Sequence, residues 1–242
     1  PHFGEEPPLV GHGGSGTIFM ANCNLGCVYC QNYDISCEGN GKPITAQELA
    51  EVMLELARQG CENINVVTPS HVMPHILKAL MLAAEDGLQL PLVYNCGGYE
   101  SLEALKVLDG VVDIYMPDMK YGTDQSGLRY SGVKDYAKRN RAAVREMHRQ
   151  VGDLQVGPGG MATRGLLVRH LVLPGGLAGT EEVMRFLAEK ISRDTYVNIM
   201  KQYYPAYRAD RYPELNRRVT EDEFREAVRT AVRMGLRRVQ SG

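Results

Sequence analysis

The chain has 242 residues, 44% of them apolar, with 27 Lys and Arg against 29 Asp and Glu. That length suits one large domain, such as an α/β barrel, or two small ones, and a chain this long buries roughly 70–75% of its unfolded surface without disulfide staples; the near-neutral balance argues against nucleic acid or an anionic membrane as partner. The longest apolar run, Ala79–Ala84, is far short of the ~20 residues of a membrane span.

Residues 1–16 are Gly/Pro-rich and polar, without the apolar stretch of a secretory signal. Pro1 in place of Met points to a missing upstream piece. Gly11-His12-Gly13-Gly14-Ser15-Gly16 matches G-x-G-x-x-G, but it precedes a strand and opens no helix, so it reads as a flexible approach loop rather than a dinucleotide site. The first strand is expected at Thr17–Ala21. A helix follows over 46–59, with the capping box Thr45/Glu48, the apolar stripe Leu49, Val52, Met53 and Leu56, and the stop Gly60. Strand two is expected at Asn63–Val67. Its helix carries Pro74 in the first turn, with Ile76, Leu77, Leu80 and Met81 on one face.

Strand three is expected at Leu92–Asn95 with a helix over 102–108, and strand four at Asp113–Met116 with a helix over 135–151. Strand five is Leu166–Leu173, with a helix after the N-cap Thr180, and strand six is Tyr196–Met200. A last helix starts at the capping box Thr220/Glu223 and is expected to bury Phe224, Val228, Ala231 and Val232. The five-glycine loop 152–165 reads as a mobile substrate gate or as disorder. Strands this rich in Val, Ile and Leu are covered on both faces, so the sheet is parallel and helices cross over it. Six such units give an α/β fold with mostly parallel strands: a partial (β/α)6 TIM-type barrel with a C-terminal helix, or a doubly wound sheet. The expected layout is one domain over 1–242, with 1–16 as N-terminal extension and 201–242 as tail and helix. In either architecture chemistry sits at the strand C-termini.

Half of the six cysteines fall within eight residues, as Cys23-x3-Cys27-x2-Cys30 straight after strand one. Such spacing, without a secretory signal, points to an inorganic centre in a reducing compartment, and hence to a cytoplasmic location. Three thiolates on a cubane leave one iron open. A zinc knuckle closed by Cys37 is the bland alternative. Cys61 and Cys96, at strand ends, also read as buried small hydrophobes.

This segment resembles the radical S-adenosylmethionine (SAM) superfamily, whose signature has this spacing with an aromatic residue before the third cysteine, here Tyr29. The similarity extends to the pyruvate formate-lyase activating enzyme group through GSGTIFMANCNLGCVYCQN, YNCGG, MPDMK and VRHLVLPGG. The resemblance implies a [4Fe–4S] cluster on Cys23, Cys27 and Cys30, with SAM on the fourth iron. It implies reductive SAM cleavage to a 5′-deoxyadenosyl radical and hydrogen-atom abstraction from a protein or peptide, or alternatively a small molecule. It also implies an electron donor such as flavodoxin or ferredoxin. A non-enzymatic iron–sulfur or zinc module is the reading from another class.

Residues placed near SAM by the resemblance are Tyr29, Gln31 and Asn32 beside the cysteines, Thr68, Pro69 and Ser70 after strand two, and Asn95 and Cys96 after strand three. Asp118 and Lys120 follow strand four, as Asp-x-Lys. Arg169 and His170 lie within strand five, where at most one of them faces inward. Gln202 and Tyr203 follow strand six. His71 lies near the same region, and an extended substrate groove is expected near Asn95, Asp118 and Tyr203.

Overall fold

The computed structural model describes residues 1–241. In chain order it forms α1 (Pro7–Val10), β1 (Gly16–Phe19), α2 (Tyr33–Ser36), α3 (Ala46–Arg58), β2 (Ile64–Val67), α4 (Met73–Glu85), β3 (Leu92–Cys96), α5 (Leu102–Val107) and β4 (Ile114–Pro117). There follow α6 (Asp124–Ser131), α7 (Tyr136–Val151), β5 (Gln155–Val156), β6 (Ala162–Leu171), α8 (Thr180–Phe186), β7 (Tyr196–Met200), α9 (Glu221–Arg233) and β8 (Arg238–Ser241). The main sheet is parallel in the order β1-β2-β3-β4-β6-β7-β8, and β5 adds an antiparallel pair to β6. It is the expected partial barrel with one more parallel strand, β8. Among the described residues no helix is long and apolar enough to cross a membrane.

Alternation along the strands sorts side chains to two cores. Ile64, Val66, Leu92, Tyr94, Leu166, Val168, Val197 and Ile199 face the helices. Val93, Ile114, Met116 and Leu167 face the barrel interior, where Leu9 joins them. A third cluster caps the strand C-termini: Leu25, Cys27, Tyr29, Tyr121, Tyr130, Tyr136 and Tyr203. Edge-to-face packing of Tyr29 on Tyr121 and Tyr203 fills that cap.

Both capping boxes form. Thr180 is not the N-cap of α8. Gly179 takes that place at φ 62°, which frees the Thr180 hydroxyl for His170. Val52, Met81 and Val232 are exposed rather than buried, because each helix turns a narrower stripe to the sheet than its apolar run allows. The glycine-rich segment 11–16 is packed, not flexible. A Cβ on Gly13 would lie 1.7 Å from the Gly60 carbonyl oxygen, and Glu62 accepts from the His12 and Gly13 amides. Segment 152–165 runs into β6, whose first four residues are 162–165, so it lies at the N-terminal end of the strands, away from the chemistry. There β5 ties it down, which removes it as a gate.

Candidate active site

Cys23, Cys27 and Cys30 lie on the loop that leaves β1. The loop is strung on α6 and its neighbours: Gly26 N donates to Ser131 O at 3.0 Å, Val28 N to Tyr130 O at 2.9 Å, and Arg208 N to Val28 O at 2.9 Å. The Cys27 thiol lies 2.9 Å from Ser131 Oγ, which is itself 2.7 Å from Tyr121 Oη. Burial pushes the Cys27 thiol up to about 11 and raises Cys23 as well. A metal centre reverses that balance, because coordination deprotonates thiols outright.

Beside the thiols, a cleft of about 220 Å³ is lined by Cys27, Tyr29, Cys30, Gln31, Asn32, Asp118, Lys120, Arg169, Leu171, Met200 and Gln202. Asn32 and Gln202 are exposed at its mouth, and Gln31 Nε2 donates to Gln202 O at 2.9 Å. Inside, the Asp118 carboxylate is held between two cations, Lys120 Nζ at 2.6 Å and Arg169 Nε at 3.0 Å. Burial alone would raise Asp118, but Lys120 and Arg169 outweigh it and keep the carboxyl below its ordinary value. Burial would likewise lower Lys120, yet Asp118 and Cys27 keep it well above the ordinary ammonium value. The wall facing the thiols therefore carries two cations and one carboxylate. That set fits an anionic iron–sulfur cluster and a ligand carboxylate, and the three thiols supply the soft donors that such a cluster needs.

Backbone close approach builds this wall. Gly98 sits at φ 72°, and a Cβ there would lie 2.2 Å from both the Asp118 carbonyl oxygen and Asn140 Nδ2. On Gly97 a Cβ would meet Leu25 at 2.6 Å. The two glycines let the end of β3 close on the segment after β4 and on the cysteine loop. Tyr136 Oη accepts from Lys120 N at 3.0 Å and donates to Gly97 O at 2.9 Å. Asn140 Nδ2 reaches the Gly98 and Asp118 carbonyls, each at 3.0 Å.

Thus the cleft gathers Tyr29, Gln31, Asn32, Asp118, Lys120, Arg169 and Gln202, with Cys27 and Cys30, and several other sequence expectations are corrected. Alternation puts Arg169 inside and His170 outside the barrel. His170 is buried, its Nδ1–H donating to Met119 O at 2.7 Å and its Nε2 accepting from Thr180. Burial lowers it to about 4, so it is neutral and structural. Cys96 lies on the same outer face of the sheet as Tyr94. Ser70 donates to Glu100 at 2.5 Å rather than facing the cleft. Thr68, at φ 59°, gives its amide to Asn95 O, and neither it nor the buried Pro69 lines the cleft. Asn95 is 2% exposed and supports the cleft from beneath, its Oδ1 accepting from Arg169 Nη2 at 2.8 Å. Tyr203 is buried and bonds Leu215 O, so neither Asn95 nor Tyr203 borders a groove. His71 is engaged with Ala21 O at 2.7 Å. Cys37 lies near Cys30 and Cys23, and burial pushes its thiol up to about 11.

Sequence reasoning missed Ser131, Tyr136 and Asn140. For Ser131 the available signals were Thr123 and Gly132, which bracket α6; Tyr136 and Asn140 lie on the expected helix 135–151, where nothing local marked them as bracing the cleft wall.

Comparison with known proteins agrees with this geometry. The profile described as Radical SAM superfamily matches residues 17–156. An uncharacterized protein of Methanocaldococcus jannaschii is 34% identical over 97% of this chain and 66% of its own length. Among solved structures, Streptococcus suis SuiB aligns with a TM-score of 0.61 at 10% identity, over 93% of this chain and 48% of that one. The FeFe-hydrogenase maturase HydG from Carboxydothermus hydrogenoformans aligns at 0.63 and 13% identity, over 93% and 52%. Methylornithine synthase aligns at 0.56 and 12%, over 93% and 70%. The chain thus spans just under two thirds of the curated relative and about half of the first two structures. With a profile match over more than half its length, laid on a cysteine loop at the C-terminal end of a partial parallel barrel, the chain belongs to the radical SAM superfamily.

Proposed function

We propose that this protein binds a [4Fe–4S] cluster through Cys23, Cys27 and Cys30 and SAM in the adjoining cleft, and abstracts a hydrogen atom from a peptide or protein segment. One observation carries the reading: the thiol loop and the Asp118–Lys120–Arg169 triad meet in a single cleft at the strand C-termini. One electron from a flavodoxin- or ferredoxin-like donor, passed through a cluster held by these thiols, would convert SAM to methionine and a 5′-deoxyadenosyl radical.

The chain's own residues bind, orient and shield. Lys120 is a compact buried cation suited to a carboxylate such as that of SAM. Asp118 holds Lys120 and Arg169 in place, and accepts from a ribose hydroxyl with its remaining lone pairs. The tyrosine cap around Tyr29 keeps water from the thiols on the inner side. Six free cysteines suit a reducing cytoplasmic setting. The whole of 1–242 is taken as one unit, with 201–242 as tail and closing helix.

A peptide or protein substrate is favoured by the mouth of the cleft, where Asn32 and Gln202 are exposed and, among the described residues, no apolar lid covers them. Further support comes from SuiB, solved with its precursor peptide SuiA, and from HydG, a maturase. An activating-enzyme role, with a backbone glycine as target, is the specific form of this proposal. The test is anaerobic reconstitution with iron and sulfide. The expected product carries about four irons per chain and a visible charge-transfer band. Both should be lost in the Cys23→Ala, Cys27→Ala and Cys30→Ala variants. One metal ion per chain would overturn the reading.

A further inference from the structure

Below the cleft, at the N-terminal ends of the strands, residues 2–15 close the barrel. His2 and Ser15 form an antiparallel bridge, and Leu9 is fully buried among Val93, Ile114 and Leu167. This plug carries two adjacent carboxylates inside with it. Glu6 is 3% exposed and accepts from Asn198 Nδ2 at 2.8 Å, while its other oxygen has no partner. The Glu5 side chain is 8% exposed, and its carboxylate lies 3.7 Å from Arg169 Nη1. Burial raises Glu5, and Arg169 pulls it back only in part. Two carboxylates buried side by side are costly unless a cation faces them.

Arg169 is that cation, and it is also part of the cleft. Its planar fork reaches Asp118 Oδ1 at 3.0 Å, Asn95 Oδ1 at 2.8 Å and Glu5 below. Asp118 in turn holds Lys120 at 2.6 Å. Charges therefore alternate from the barrel floor to the thiol loop: Glu5, Arg169, Asp118, Lys120. A guanidinium has its donors in a fixed plane, so an anchor on one edge sets where the others point.

We infer that the N-terminal plug positions the active-site cleft: Glu5 fixes Arg169 from beneath, and Arg169 fixes Asp118 and, through it, Lys120. Without Glu5 the guanidinium loses its lower anchor, and its freed edge turns to Glu6, off the Asp118 carboxylate. Glu5 is a positioning residue and touches no ligand itself. The consequence for SAM rests on the reading of the cleft given above; the linkage from Glu5 to Asp118 does not.

Two measurements keep those apart. The first needs no ligand: urea unfolding of Glu5→Gln, Asp118→Asn and the double variant, repeated with Arg169→Met. No hydrogen bond or ion pair joins Glu5 to Asp118, so independent sites would give additive effects. The expected result is a coupling of at least about threefold in the unfolding constant that vanishes in the Arg169→Met background. The second measures the SAM dissociation constant by equilibrium dialysis on anaerobically reconstituted protein. Glu5→Gln should raise it about threefold to fivefold, the upper range for an ion pair that, at 3.7 Å, is not also a hydrogen bond, at unchanged iron content. Glu5→Asp should recover part of the loss, and Glu5→Gln should add nothing in an Arg169→Lys background.

Additive unfolding effects overturn the linkage, whatever happens with SAM. Coupled unfolding with no SAM binding even by the unsubstituted protein leaves the linkage standing and overturns the SAM reading instead. Coupled unfolding with equal SAM affinity in all variants overturns the positioning role. Should Asp118→Asn fail to fold, the dialysis series on Glu5 and Arg169 decides alone.

Discussion

Replacing Asp118 by Asn removes one charge from a buried row of three and keeps the side chain's shape. Lys120 and Arg169 approach its carboxylate to 2.6 and 3.0 Å, and the three side chains are 15–19% exposed. At an effective dielectric of about 20, each pair is worth roughly 6 kcal/mol before desolvation. Taking three ions out of water cancels most of that sum. What the variant measures is the cost of leaving Lys120 unpaired beside Arg169, which keeps only the Glu5 carboxylate at 3.7 Å, about 3–5 kcal/mol for a broken buried pair. Because the two cations hold the Asp118 carboxyl below its ordinary value, its contribution is complete above the usual carboxylate range and is lost as pH falls beneath it. Urea unfolding is the assay. The gap between the two proteins should be flat from about pH 5 to about 8 and shrink towards about pH 3. A gap under about 1 kcal/mol, or one that persists undiminished at about pH 3, would refute the argument that these charges are shielded from water.

Burial pushes the Glu100 carboxyl from an ordinary 4.5 up to about 7. The unfolded chain ionises first, so stability should fall by about 3 kcal/mol as pH rises through that window, and Glu100→Gln should remove the slope in pH-resolved melts. Gly98→Ala meets a positive φ together with backbone and side-chain atoms at 2.2 Å and should cost more than about 2 kcal/mol. Gly110→Ala, with φ 81° and nothing within 4 Å, should cost only about 1 kcal/mol in the same denaturation assay. Cys37→Ser should keep full iron content on reconstitution; loss of iron there would make the site a four-cysteine centre.

Much of this was legible because buried parallel strands announce themselves. INVV and LVYNC form strands over nearly the predicted residues, and Thr45/Glu48 and Thr220/Glu223 mark the starts of α3 and α9. β8 escaped because Arg238–Ser241 is a half-exposed edge with no apolar run. The cysteine loop was legible by spacing alone. The inner wall of the cleft was only partly so: period-two alternation allows one of Arg169 and His170 inside but does not say which. Glu5 was invisible because its partner is 164 positions away, and no local pattern encodes an N-terminal segment turned up into a barrel floor. Cys96 misled because it is still part of β3, on its outer face, and Ser70 because the turn after β2 aims its hydroxyl at Glu100 on that same outer side.

The most direct measurement of the central claim is SAM turnover by the anaerobically reconstituted protein with dithionite. Methionine and 5′-deoxyadenosine should appear in equal amounts, resolved by chromatography, and both should be lost with Cys23→Ala, Cys27→Ala or Cys30→Ala. Intact SAM in the presence of a fully assembled, reducible cluster would contradict it.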